Sequence, residues 1–430
     1  MKLYSILFLL FITIQLQAQQ TPAAPQSENI LIMGAKAHLG NGEVIENSAI
    51  AFENGKLTIV ADATTVRIDP SNYKVIEANG KHVYPGFIAP NTQLGLTEIS
   101  AVRATRDADE VGALNPNMRS IIAYNTDSDV TPTVRSNGVL LAQIVPVGGR
   151  ISGQSTITNL DAWNWEDAAY KMDEGIHVNW PVMFRYTGWW AEPGEIKKND
   201  KYIEQKKEIE TLFKEAQAYA KKKKSEKANL KLESMKGLFD KSKTLYVHTQ
   251  DVKTMTEVIL FAESFDVRLV LVGARESWMI MDLIKEKNIS IVLDQVQSLP
   301  SRADEDIDQP FKTPALLKDA GVPFCFSMDG FWQQRNLAFQ AGQAIGYGLD
   351  YEDAVAALSL ETAKILNIDK TTGSLESGKD ATLFISEGDA LDMRTCKVTT
   401  AFIQGRMIDL DNKQKELYRK YKKRYEENGK

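Results

Sequence analysis

Two patterns of apolar and polar positions divide the chain. From about residue 28 to 80, apolar residues come in short runs punctuated by Asn-Gly pairs at Asn41-Gly42, Asn54-Gly55 and Asn79-Gly80. Both residues of such a pair tolerate positive φ, as a two-residue hairpin turn demands. The stretch AIAFENGKLTIVA therefore predicts a hairpin, and the whole segment a small antiparallel β unit. Beyond residue 85 the pattern changes. Unbroken apolar runs of strand length, GVLLAQIV (138–145), TLYVH (244–248), RLVLV (268–272), ISIVL (289–293) and VPFCFS (322–327), alternate with helical stretches. In DVKTMTEVILFAESF, Met255, Val258, Ile259 and Ala262 recur at the spacing of one helix face. Non-alternating strands separated by helices predict a parallel sheet covered on both faces. Several such units over about 290 residues predict a (β/α)8 barrel rather than an open sheet.

Two regions depart from this rhythm. Residues 195–243 are rich in lysine and glutamate, with apolar stripes at Ile209, Leu212, Phe213, Ala216 and Tyr219, then at Leu230, Met235 and Leu238. These predict helices with strongly solvated outer faces. The interleaved acids argue against a nucleic-acid surface. After residue 375, GSLESGKDATLFISEGDAL and TTAFIQGRMIDL return to short strands, placed to complete the N-terminal β unit. The organisation expected is a TIM-like barrel over 85–375, inserted in a β-sandwich built from 19–84 and 376–410. A charged helix follows at 411–430, with Leu417, Tyr421 and Tyr425 on one docking face.

The first 18 residues read as a signal peptide. Lys2 precedes an apolar run from Leu3 to Ile14, then Leu16-Gln17-Ala18 and a polar stretch. That run suits a signal h-region and is short for a membrane span. No cysteine stands at the expected cleavage point after Ala18, which argues against a lipid anchor. With no second long apolar run, the expectation is export to the periplasm with no membrane span after signal removal. Net charge is −6 with a pI near 5.5, so no basic excess favours nucleic acid. There are two cysteines, Cys325 and Cys396. Cys325, inside the apolar VPFCFSMDG, reads as a buried free thiol, and no thiolate metal cluster is available.

At this point the chain resembles the metal-dependent amidohydrolase superfamily, in its imidazolonepropionase-like branch. NGKHVYPGFI is similar to the family's entry into the first barrel strand, and LLAQIVPVGGRISGQ to its second strand and glycine loop. VHTQ, LVGARES and FSMDG stand where strands five, six and eight end. TAKILNIDKTTGSLESGKDATLFI resembles the exit from barrel to sandwich. The resemblance implies hydrolysis of amide or cyclic C–N bonds. A divalent metal there needs about three imidazole or carboxylate ligands and an open position for water. Those ligands sit at the C-terminal ends of barrel strands.

Carried over residue by residue, the ligand set is thin. Asn91 and Gln93 occupy the His-x-His positions after strand one, Ala89 replaces the acid before them, and Gly273 replaces the strand-six histidine. His248 and Asp329 remain, and no strand-four lysine is recognised. Amide oxygens suit calcium or magnesium better than zinc or iron. Asp251 stands where related enzymes often carry a proton-handling carboxylate. His177, in GIHVNWP, reads as a packing or surface residue with the mouth as its alternative. If His248 and Asp329 are relics, the expectation is that they hydrogen-bond Asn91 and Gln93.

Three functions stay open on the sequence. One is a degenerate amidohydrolase with weak or no metal-dependent catalysis, taking a small amide-type ligand and forming a homo-oligomer or pairing with an active relative. The second is an active hydrolase with a rebuilt single-metal site on His248, Asp329 and the Asn91 or Gln93 oxygens, with Asp329, His248 and Asp251 as its acid–base candidates. The third is a non-catalytic envelope protein binding carbohydrate through Trp163, Trp165, Trp180, Trp189 and Trp190. GGRISGQ lacks the Lys-Ser/Thr ending of a phosphate loop, so its glycines are read as turn formers.

Overall fold

The computed structural model describes residues 21–189, 191–192, 194–222 and 227–427. The signal-peptide expectation and Trp190 lie outside the described residues. Five N-terminal strands start the fold: β1 (Ile30–His38), β2 (Val44–Glu53), β3 (Lys56–Asp62), β4 (Lys74–Glu77) and β5 (His82–Pro85). Asn54, in the left-handed region, turns β2 into β3.

The chain then enters the barrel through β6 (Phe87–Thr92), β7 (Val139–Ile144), β8 (Ile151–Asn159) and β9 (Ala169–Asn179). A peripheral hairpin of β10 (Phe184–Tyr186) and β11 (Ile196–Lys198) follows, then β12 (Thr244–Thr249), β13 (Leu269–Gly273), β14 (Ser290–Leu293) and β15 (Phe324–Phe326). Sheet order follows the chain from β6 to β9 and on through β12 to β15. Between its two edges, Gly330 O accepts from Thr92 Oγ1 at 2.8 Å and from Gln93 N at 3.4 Å, so the barrel is nearly closed.

One part of the barrel departs from the expected parallel pattern. β8 runs antiparallel to both β7 and β9. A short connection suffices between antiparallel neighbours, whereas a parallel crossover needs a dozen or more residues. Residues 145–150 and 160–168 are short enough for the first kind, and only one helical turn (Trp165–Ala168) lies between β8 and β9.

The chain leaves through β16 (Leu383–Ser386), β17 (Val398–Ile403) and β18 (Arg406–Met407), which join β5 and so complete the first sheet. Phe52 from the N-terminal strands meets Phe402 from the C-terminal ones edge to face at 4.9 Å inside this sandwich. Sandwich and barrel are tied by a buried triad: Asp161 accepts from Arg135 Nη1 at 2.8 Å and from Arg406 Nη1 at 2.9 Å. Helix Tyr202–Ala220 buries Ile209, Leu212, Phe213, Ala216 and Tyr219, the stripe read from the sequence, while Leu230 stays exposed. The terminal helix Lys413–Glu427 buries no side chain, so Leu417, Tyr421 and Tyr425 do not dock on their own chain. No helix among the described residues is long and apolar enough to cross a membrane. Both cysteines are free.

Candidate functional site

The parallel strands end at one face of the barrel, and Asn91, Gln93, His248, Gly273 and Asp329 stand at or just beyond their ends. At the end of β6 the geometry is irregular. Ala89 and Thr92 pair with Ala142 and Ile144, so three steps of β6 match two of β7, and Asn91 takes φ 52°. The strand alternation that would aim Asn91 and Gln93 to one side is broken by this bulge. Asn91 N donates to Gln143 Oε1 at 3.1 Å. Neither side-chain amide has a partner among the described residues, so the expected bonds to His248 and Asp329 are not formed.

His248 has a different partner. Its Nε2 lies 3.0 Å from Nδ1 of His177, which stands beside it because β9 and β12 are parallel neighbours in register. His177 is fully buried and its Nε2 has no partner. Buried unpaired N–H groups are rarer than under-used acceptors. We therefore assign the bonding proton to His177 Nδ1, which leaves Nε2 as a bare lone pair. His248 Nε2 is then the acceptor, and its Nδ1 carries the proton. Burial lowers the pKa of both rings, that of His248 to about 4. This is a neutral pair with an N–H, not a lone pair, on the free edge of His248.

Below the pair lies a polar chain that the sequence reading missed. His177 stacks on Tyr246 at 4.7 Å. The Tyr246 hydroxyl donates to Glu174 Oε2 at 2.9 Å, while Gln143 Nε2 and Ser155 Oγ donate to Oε1 at 2.7 and 2.5 Å. Burial raises the Glu174 pKa, and these three donors oppose the rise. Gly175 makes room for the column: a Cβ there would sit 2.3 Å from the Tyr246 ring. No signal in the sequence marks this network, because its members come from four strands.

At the end of β13, Gly273 takes φ 93°, and a Cβ on it would fall 2.4 Å from Gln250 Nε2. The Gln250 amide thus occupies the space in which the resemblance places a strand-six histidine. Its Oε1 accepts from Arg275 N at 3.4 Å, and Arg275 Nε donates to Asp294 at 2.6 Å. Asp329 lies open to solvent at the mouth with no partner among the described residues. Partial desolvation and the neighbouring Asp294 raise its pKa, against the pull of Arg275.

Asp251 is placed otherwise. It caps helix Val252–Phe265, accepting from Thr254 N at 2.9 Å and Thr254 Oγ1 at 2.7 Å, so a structural task occupies both its oxygens. Trp163, Trp165 and Trp180 do not gather at the mouth either. Trp163 and Trp165 follow the antiparallel β8 and lie at the opposite end of the barrel, while Trp180 is buried against Phe261. The remaining histidines form a second pair, His38 Nε2 to His82 Nδ1 at 3.0 Å, with His38 Nδ1 bonded to Glu352 at 2.7 Å where sandwich meets barrel. Among the described residues, no three His, Cys, Asp or Glu side chains are grouped so as to hold a metal ion.

Residues 195–408 match the Amidohydrolase family. That stretch of the chain is similar to the family. An amidohydrolase from Thermotoga maritima MSB8 is 22% identical and superposes with a TM-score of 0.76, covering 88% of this chain and 99% of that one. A Xaa-Pro dipeptidase structure with bound methionine (15% identity, TM-score 0.56, 88% and 99% covered) is more distant. So is an ochratoxinase from A. niger (12%, 0.53, 89% and 96%). At these identities the likenesses show the fold of an amidohydrolase. No curated protein matches the chain in sequence.

Proposed function

We propose that this amidohydrolase-fold protein, exported to the periplasm, is a degenerate member whose mouth binds a small polar ligand with weak or no metal-dependent catalysis. The observation that carries this reading is the His177–His248 bond. A metal ligand must offer a lone pair, and the assigned tautomer leaves His248 none: Nε2 accepts from His177 and Nδ1 bears the proton. Two further features support it. Gln250 fills the space beside Gly273, and the positions after strand one hold neutral amides. The residues at the mouth therefore do not fit a hydrolytic zinc or iron centre. Pairing with an active relative, or with a second copy, would give a reason to keep the whole scaffold.

Metal content by mass spectrometry tests the reading, on mature protein purified without chelator or affinity tag. Zinc, iron and manganese far below one per chain are expected. One tightly held metal per chain, lost on His248→Ala, would overturn it. That result would point to a rebuilt site, a reading favoured by one observation alone, the unpartnered Asp329 carboxylate.

A further inference from the structure

The terminal helix Lys413–Glu427 is 15 residues long and buries no side chain. Its root is bonded to the body, where Asn412 Nδ2 donates to Ser136 Oγ at 3.0 Å and Thr133 Oγ1 to Gln414 Oε1 at 2.7 Å. Beyond the root the helix leaves the body: exposure rises from 38% at Leu417 to 49% at Tyr421 and 59% at Tyr425. A helix of this length without packing is marginal in water. Its own ion pairs, Lys413–Glu416, Lys422–Glu426 and Lys423–Glu427, put the cation before the acid, which is the weaker orientation.

The residues around this helix are sorted. At 3.6 residues per turn, Leu417, Tyr418, Tyr421 and Tyr425 share one arc about 100° wide. Lys420 and Arg424 border the arc on one side, Lys422 and Lys415 on the other. Glu416, Glu426 and Glu427 all lie farther round, at least about 80° outside it. The bordering lysines lie along the tyrosines, Lys420 Nζ 6.0 Å from the Tyr421 ring centre and Lys422 Nζ 5.9 Å from that of Tyr418. The helix holds seven Lys and Arg against three Glu, in a chain whose net charge is −6. Its positive charge is therefore local.

This composition selects the occupant. An aliphatic stripe would suit a groove on another protein, but three of the four residues here end in a hydroxyl and both borders are cationic. A soluble polyanion would engage the cations and leave the tyrosines unused. A membrane–water boundary uses all of them. Tyrosine keeps its ring among apolar chains and its hydroxyl at headgroup level. Lysine and arginine stems reach back toward the headgroups, and anionic lipid attracts each cation.

We propose that helix Lys413–Glu427 lies flat on a bilayer surface carrying anionic lipid, with Leu417, Tyr418, Tyr421 and Tyr425 inserted at headgroup depth and the bordering cations on lipid phosphates. Ser136, at the root, stands three residues before β7 begins, at the end of the barrel opposite the mouth. A bilayer held there leaves the mouth open to solvent. The proposal is independent of what the mouth binds.

Co-sedimentation of the mature protein with phosphatidylcholine vesicles, with and without phosphatidylglycerol, tests it. Binding should require phosphatidylglycerol and fall at least about tenfold in about 1 M salt, where the Debye length is about 3 Å. Truncation after Asn412, with the fold checked by circular dichroism, should abolish it. Lys420→Glu combined with Lys422→Glu should weaken binding about tenfold or more. Tyr418→Ser, Tyr421→Ser and Tyr425→Ser together should do the same. No vesicle binding by the wild type would overturn the proposal, as would binding that survives truncation or ignores phosphatidylglycerol. Undiminished binding by the tyrosine variant would reduce the helix to a charge tether and overturn the insertion. Light scattering covers the remaining occupant: a dimer that truncation splits, in protein that ignores vesicles, would assign the helix to a second copy instead.

Discussion

Acidification should weaken this protein through His248, and the amount can be worked out. The ring has a pKa of about 4 in the folded chain, because burial disfavours its charged form, against about 6.5 for a solvated histidine. Unfolded chains therefore bind more protons than folded ones between these values, and stability rises with pH across that window. His248's contribution is fully present above about pH 6.5 and is lost as pH falls toward 4. Moving from about pH 7.5 to about pH 5 should cost about 2 kcal/mol from this ring alone. His177 acts in the same direction, since its pKa is lowered too. Glu174 and Asp329 act oppositely, because their pKa values are raised and protonation favours their folded forms. A single pH series thus mixes signs, and the useful quantity is the difference between wild type and His248→Asn. Urea unfolding followed by tryptophan fluorescence at both pH values should show the wild type losing about 2 kcal/mol more than the variant. Equal losses would refute the reasoning, and so would a wild type that gained on acidification relative to the variant. Nitrogen-15 NMR of labelled histidine tests the underlying assignment, which requires His248 to carry its proton on Nδ1.

Other substitutions probe other parts of the argument. Gly273→Ala should destabilise by about 1–2 kcal/mol in thermal melts; adding Gln250→Ala should not rescue it, because the amide can move aside while φ 93° stays strained. Glu174→Leu leaves three buried donors without an acceptor and should cost about 3–5 kcal/mol in urea unfolding. Asp161→Ala removes the carboxylate that offsets the charge of the buried Arg135 and should lower Tm sharply, a loss of similar size. Truncation after Asn412 removes a helix with no buried side chain and should shift Tm by less than about 2 °C.

The barrel was legible because its central strands, TLYVH, RLVLV, ISIVL and VPFCFS, are unbroken apolar runs, as strands buried on both faces must be. ISGQSTITN was not, since serine, threonine and glutamine disguise a fully buried strand whose hydroxyls face other strands inside the barrel. Mouth residues were legible only as identities. That Asn91 sits at a bulge depends on how β6 registers against β7. The pairing of His177 with His248 depends on β9 and β12 being neighbours, 71 residues apart in sequence. A histidine on an apolar strand is more often packed than functional, and here packing and pairing coincide. Asp251 misled because a residue just past a strand end is also where a helix cap belongs.

The shared sheet also sets a timetable for folding. β5 ends at Pro85, yet the strand that covers its edge begins at Leu383, about 300 residues later. At ribosomal speeds of about 5–20 residues per second, that edge waits roughly 15–60 s for its partner. Throughout this interval β1 to β5 expose main-chain groups that any other extended segment can pair with. The sheet closes only when the last strands arrive, so an intact C-terminal segment is a condition of folding for the N-terminal one. A helper that shields early strands would serve this chain more than one that assists its barrel.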